Sequence, residues 1–160
     1  MFLKIFLSSF FLFPIIYCQS LLEKGISDYN QRHLGCVEDQ AKPEPISSAI
    51  GHFERALDKK EDKNEASLYL LKSYYFKSKF VVKDKKVKKD LLKKGKDLGL
   101  SLVEKFPNSV EYRYWYLVNL GSWAEEYGVF AAAREGVADQ MRYHSKKIIE
   151  IDPYLSLIHI

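Results

Sequence analysis

Residue types able to bind or transform a ligand gather in three places along this 160-residue chain. His33, Cys36 and Glu38 bring an imidazole, a thiol and a carboxylate within six residues, the donor types of a metal site. One such group without a second falls short of the ligand set a zinc ion needs, so the plainer reading is a loop with a free thiol. Between Lys83 and Lys96 lie eight lysines in fourteen residues. That density suits a surface for anionic lipid or nucleic acid. No arginine and no interleaved aromatic accompanies it, however, so a solvated helix face accounts for it and no nucleic-acid partner is expected. The third place is Tyr112 to Tyr127, with six aromatics in sixteen residues: Tyr112, Tyr114, Trp115, Tyr116, Trp123 and Tyr127.

Tyr112, Trp115, Asn119 and Trp123 stand at i, i+3, i+7 and i+11, one face of a helix. With Glu126 and Arg134 as polar anchors, these residues could line a cleft for a ligand with an apolar body and a polar end. The same rings could instead pack as core against the small residues Gly95, Gly99 and Ala131–Ala133. Asn119 would then need hydrogen-bond partners of its own. No Gly-rich phosphate loop, His-Glu-x-x-His pair or nucleophile elbow occurs, and no general acid, base and nucleophile converge. A non-enzymatic protein with no metal and no cofactor is the expectation.

The elements that must position these residues read as helices throughout. The chain is 47% hydrophobic and 29% charged with a net charge of +4, a globular composition without a linker or a second compositional regime. Alternating apolar and polar runs and Asn-Gly or Asp-Gly turns are missing, whereas three- and four-residue apolar spacing recurs. Leu21, Ile26 and Tyr29 predict a short helix ending before Gly35. Lys42–Pro45 reads as a loop, with Ser47 or Ser48 capping a helix that carries Ala49, Phe53, Ala56 and Leu57. Asp58–Asn64 reads as a turn before a helix over Glu65–Phe80. Val87, Leu91, Leu98, Leu102 and Phe106 mark the stripe of the next helix, stopped at Phe106-Pro107 and followed by a Ser109 cap. Helices over Val110–Tyr127, Phe130–Ala138 and Met141–Ile151 complete an all-α chain.

Both ends call for trimming. In Met1–Ser20, Lys4 precedes the thirteen-residue apolar run Ile5–Tyr17, the form and length of an export signal. Cleavage after Ser20 would place Cys18 and Ser20 at the small-residue positions. Alternatively Ile15-Ile16-Tyr17-Cys18 serves as a lipobox and Cys18 is lipidated, although Tyr17 is large for its position. Leu155–Ile160 resembles the in-frame translation of a transposon-end sequencing adapter. Residues 21–154 are therefore expected to be a truncated helical domain.

A repeat runs beneath the helices. Ala49-x3-Phe53-x2-Ala56 matches the second helix of a tetratricopeptide repeat (TPR), and Leu70 and Tyr74 fall where the first helix of the next repeat has its leucine and tyrosine. A shift of 46 aligns Ala49, Gly95 and Met141, Glu65 with Glu111, Tyr69 with Trp115, Leu71 with Leu117, and Pro107 with Pro153. The expected fold class is all-α with TPR-like hairpins in a solenoid. Forty-six residues is long for that unit, and the surplus falls after Phe76 and after Gly121.

From Tyr114-Trp115-Tyr116-Leu117-Val118-Asn119-Leu120-Gly121-Ser122-Trp123, through Glu135-Gly136-Val137-Ala138-Asp139, to Ile149-Glu150-Ile151-Asp152-Pro153, the chain resembles the T component of TRAP transporters. The resemblance spans roughly residues 45–154. It implies an exported TPR-like protein, often lipid-anchored, in the periplasm. It also implies a partnership with the transporter's solute-binding component, oligomers, and a cleft for a small apolar ligand. The weak lipobox, and Leu71 and Leu117 where a standard repeat has small residues, depart from the pattern. A scaffold of the envelope that binds peptide segments in a TPR groove is the alternative.

Overall fold

The structure, a computed structural model, describes residues 19–154; Cys18, nearly all of the export-signal segment and the adapter-like tail lie outside the described residues. Seven helices cover most of the described residues: α1 (Leu21–Asn30), α2 (Pro43–Asp58), α3 (Lys63–Phe80), α4 (Lys85–Lys105), α5 (Val110–Tyr127), α6 (Val129–Arg134) and α7 (Val137–Ile151). The only β pairing among the described residues is a lone bridge between Val37 and Gln40. The chain is all-α.

Most helix starts follow from capping chemistry. Ser20 and Glu23 form a capping box at α1, so a cut after Ser20 would strip α1 of its cap. Asp62, Asp84 and Ser109 each accept a hydrogen bond from a free N–H of the first turn of α3, α4 and α5. Two expectations need correction. The α2 helix begins at Pro43, inside the segment read as a loop, because a proline at the first helical position lacks only an N–H that would be unpaired anyway. Ser48 therefore lies inside α2, where its hydroxyl donates to the Asp28 carboxylate at 2.5 Å; His52 meets the same carboxylate at 3.0 Å. The helix expected over Phe130–Ala138 breaks after Arg134, and α7 starts behind Gly136 at φ +62°.

Each helix packs on its neighbour in sequence, and α1, α3 and α5 also form a continuous row, with α5 packed in turn on α6 and α7. As a result α3 and α5 are clasped from several sides and carry buried residues around much of their circumference. Leu70, Tyr74 and Phe76 of α3 join one core with Ile46, Ala49, Ile50, Phe53 and Ala56 of α2 and Leu22 and Tyr29 of α1. Leu71, one step round α3, joins a second core with Leu92, Leu102, Tyr116, Leu120, Trp123 and Ile148. Full burial of each such aliphatic side chain contributes roughly 1.5–3 kcal/mol. Leu98 of α4 packs against both cores. On α4 itself the buried face is Leu92, Gly95, Gly99, Leu102 and Val103, whereas Val87 of the expected stripe is 46% exposed. The helix is turned so that its glycines, rather than Val87, meet α5.

Those glycines set the α4–α5 distance. A Cβ at Gly99 would lie 3.0 Å from the Tyr116 backbone, and one at Gly95 would lie 2.0 Å from Asn119 Oδ1. Asn119 is fully buried at the junction of α3, α4 and α5. Its Nδ2 donates to Trp115 O at 2.9 Å and Leu71 O at 3.3 Å, while Oδ1 has no partner among the described residues. Gly95→Ala gains about 1 kcal/mol of helix propensity but forces a methyl into an amide already held on one side. Overpacking of this kind costs about 1–3 kcal/mol. We expect net destabilisation in urea unfolding, and partial recovery in the Gly95→Ala/Asn119→Ala double variant, which removes the clash.

A buried cation locks α7 to the α4–α5 turn. Arg113, 5% exposed, donates through Nε at 3.0 Å and a second guanidinium nitrogen at 2.5 Å to Pro107 O, and its third nitrogen meets His144 Nδ1 of α7 at 2.6 Å. Burial first, and the Arg113 charge second, hold the His144 pKa below the ordinary 6.5. The folded protein therefore keeps His144 neutral, and below that value the unfolded chain binds more protons. This contribution is complete above pH 6.5 and is lost as the pH falls through the lowered folded pKa. His144→Gln keeps an acceptor for Arg113 and cannot be protonated. Its unfolding free energy should decline less on acidification than that of the wild type; parallel pH profiles would show that His144 titrates alike in both states.

Candidate functional site

The six residues expected to line a cleft do not share one surface. Tyr112, Asn119 and Trp123 are buried on α5. The Tyr112 hydroxyl donates to Asn64 O at 3.0 Å, which ties α5 to the start of α3. Trp123 stacks on Tyr127 with ring centroids 4.6 Å apart and is roofed by Lys96, whose ammonium sits 4.3 Å above its ring. Lys96 is held there by Glu135 and Asp97. Glu126 pairs with Lys88 at 3.6 Å beside a small polar crevice of about 30 Å³ that Ser78 and Ser122 also line. Arg134 is exposed on α6. Of the six, only Trp115 is a half-buried ring beside other rings.

Around Trp115 a chain of aromatic rings runs across the helices. Tyr29 meets Tyr69 edge-on at 5.2 Å, and Phe53 stacks on Tyr69 at 5.3 Å. On the next helix Trp115 meets Tyr75 at 6.1 Å and Tyr114 at 5.3 Å. Lys72 bridges the two groups: its ammonium lies 5.0 Å from the Tyr69 ring, 5.8 Å from the Trp115 ring and 3.2 Å from Glu111 Oε1. Tyr69, Lys72, Tyr75, Tyr114 and Trp115 are all half-buried. They form a shallow aromatic face on α3 and α5 with one cation near its centre. Such a face can take an apolar body by ring contact and a carboxylate by displacement of Glu111 from Lys72.

A second concavity lies between α2 and α4 over α3. It is an open groove of about 660 Å³, floored by Leu57, Leu70, Tyr74 and Leu98 and edged by Glu54, Asp58, Lys94 and Asp97. The Tyr74 hydroxyl donates to Glu54 at 3.1 Å, and burial, with that carboxylate beside it, pushes its pKa well above the ordinary tyrosine range.

The loop after α1 holds His33, Cys36 and Glu38 apart. The His33 ring packs edge-on against Phe76 at 4.9 Å, and Cys36 is exposed with a free thiol. No three metal-ligating side chains cluster among the described residues.

Lys72 and Tyr75 were absent from the expected set because their partners, Trp115 and Glu111, are about forty residues away in sequence. The repeat gave the available signal, since it aligns Tyr69 with Trp115 and Glu65 with Glu111. Burial separates the two tryptophans experimentally. Trp123→Ala should cost about 3–5 kcal/mol, the usual loss for a buried large aromatic. Trp115→Ala should cost no more than about 1–2 kcal/mol, because a half-exposed ring has less burial to lose. Urea unfolding monitored by circular dichroism reads both; equal losses would place Trp115 in the core. No protein-family model, curated protein or solved structure matches this chain.

Proposed function

We propose that this chain is a non-catalytic binding protein built from stacked TPR-like helical hairpins. In this reading α1/α2, α3/α4 and α5/α7 are successive units, α1, α3 and α5 form one layer, and α6 is inserted in the third unit. Two features support it: the side-by-side packing of α1, α3 and α5, and the recurrence of helix ends, with α4 and α7 stopping 46 residues apart, each two residues before a proline. Hairpins of this kind cannot bury an apolar face alone and must stack. The stack then presents surfaces that run across units.

The observation that carries a binding role is the aromatic face centred on Lys72, assembled from two successive units. Its chemistry fits a small solute with an apolar body and a carboxylate. Together with the resemblance of residues 112–153 to the TRAP transporter T component, it supports an exported, periplasmic accessory of TRAP-type uptake. That accessory would engage the solute-binding component and hold an apolar acid. The groove between α2 and α4 favours a second reading, an envelope scaffold that docks a peptide segment of another protein.

Thermal unfolding distinguishes the two. A medium-chain fatty acid such as octanoate should raise the midpoint by mass action. Lys72→Met and Trp115→Ala should each remove most of that rise; Lys72→Met should leave the ligand-free midpoint nearly unchanged, and Trp115→Ala should lower it by only several degrees. A flat response to apolar acids, with a helical peptide bound in the α2/α4 groove and lost on Asp58→Lys at its edge, would establish the scaffold instead.

A further inference from the structure

The α6 helix is the least anchored of the described helices: none of its residues is buried, and Val129 and Phe130 are 82% and 90% exposed. Gly128 at φ +90° and Gly136 at φ +62° flank it, and side-chain-bearing residues rarely adopt either conformation. These two turns carry the chain off the end of α5 and back into α7, leaving Val129 and Phe130 as a bare apolar tip.

Lysines of α4 reach the residues that flank α6 on both sides. Lys85, Lys89 and Lys93 follow at intervals of four and Lys96 three further on, one stripe along the helix. Lys89 Nζ lies 4.9 Å from the ring of Tyr127, just before the tip, and Lys96 pairs with Glu135, just after it. The acidic groups nearest the tip are already neutralised: Glu125 by Lys79, Glu126 by Lys88 and Glu135 by Lys96, while Asp97 takes Lys93. Lys85, Lys86, Lys89 and Arg134 have no carboxylate partner among the described residues, against two acids there without a cation, Asp90 and the capping Asp84. The surface beside the apolar tip is therefore positive.

We propose that α6 docks this protein onto an anionic lipid bilayer. Val129 and Phe130 enter the boundary between headgroups and acyl chains, and the unpaired Lys85, Lys86 and Lys89 with Arg134 lie against the lipid phosphates. An apolar pair left 82% and 90% exposed suits a deformable surface that can close around it. Long lysine side chains suit diffuse charge better than paired hydrogen bonds. The proposal is independent of the solute reading above. No described helix is long and apolar enough to cross a membrane.

Sedimentation of the full chain with lipid vesicles tests it, using phosphatidylcholine alone and equimolar phosphatidylcholine and phosphatidylglycerol. Every variant keeps residues 1–20, so differences between variants report on α6 and α4. The wild type should bind the phosphatidylglycerol vesicles in excess of the neutral ones. Phe130→Ser should cut that excess about tenfold, and each of Lys85→Glu and Lys89→Glu should cut it at least roughly fivefold. Lys94→Glu, on the opposite flank of α4 beside the α2 groove, should have little effect. All four sites are at the surface, and circular dichroism verifies folding. Phe130→Trp should be quenched by brominated acyl chains in phosphatidylglycerol vesicles. No excess on anionic vesicles, an excess untouched by Phe130→Ser, or an equal loss from Lys94→Glu would overturn the proposal. Binding of an acidic polypeptide such as polyglutamate in place of vesicles would also overturn it.

Discussion

The close approach of α4 and α5 at Gly95 and Gly99 is the constraint on which the rest of the described structure depends. Two helices come near enough for the Tyr116 backbone and the Asn119 amide to occupy the space that side chains on α4 would otherwise fill. That contact brings Leu92, Leu102 and Val103 against Tyr116 and Leu120 to form the second core. It also directs Asn119 toward α3, where its amide donates to the Leu71 carbonyl and pins α5 to α3. A single polar side chain thus fixes three helices at once. The fixing has a cost, because Asn119 Oδ1 and the Trp123 indole N–H one turn later are buried without partners among the described residues.

From that junction the layers separate the chemistry. Clasped by neighbours, α3 and α5 turn their remaining partly open residues to one face, where Tyr69, Lys72, Tyr75, Tyr114 and Trp115 meet. Lys72 meets the Tyr69 ring on its own helix, and the packing of α3 beside α5 adds the Trp115 ring and the Glu111 carboxylate. On the other side, α2 and α4 stand apart over α3 and leave the groove floored by Leu70 and Tyr74. Beyond α5, Arg113 joins the Pro107 turn to His144 of α7 through a guanidinium with no carboxylate partner among the described residues. Burying a cation on a carbonyl and a neutral imidazole ties the position of α7 to the protonation of one ring. Tyr116 contributes to the same region: its ring lies 5.0 Å from His144, its hydroxyl donates to Gln140, and burial pushes its pKa up to about 12.

Much of this was legible residue by residue. The cap at Ser109, the stop at Phe106, and the span of α5 followed from local chemistry, because a cap or a proline acts within one turn. The buried alanines of α2 followed from spacing. Less legible were the rotation of α4, the start of α2 and the division of the aromatics between core and surface. Val87 and Leu92 are equally apolar in the sequence, and which of them is buried depends on where α5 lies. Pro43 and Pro45 look like loop residues until the helix that begins on them is seen. Trp115 and Trp123 share a residue type and, by their spacing, one face of the same helix, yet one is half-open and the other is roofed by Lys96.

By itself, the sequence determined that the chain is helical and where most helices begin and end. Each of these rests on interactions between residues a few positions apart. Tertiary structure alone decided which aromatics form a face and which form the core, and it alone brought Arg113 to His144 and Lys72 to Trp115. It also left Val129 and Phe130 bare beside the α4 lysines. The physical reason is distance along the chain. Caps and turns are settled within four residues, whereas burial and the pairing of charges with rings wait on helices thirty to fifty residues apart coming together.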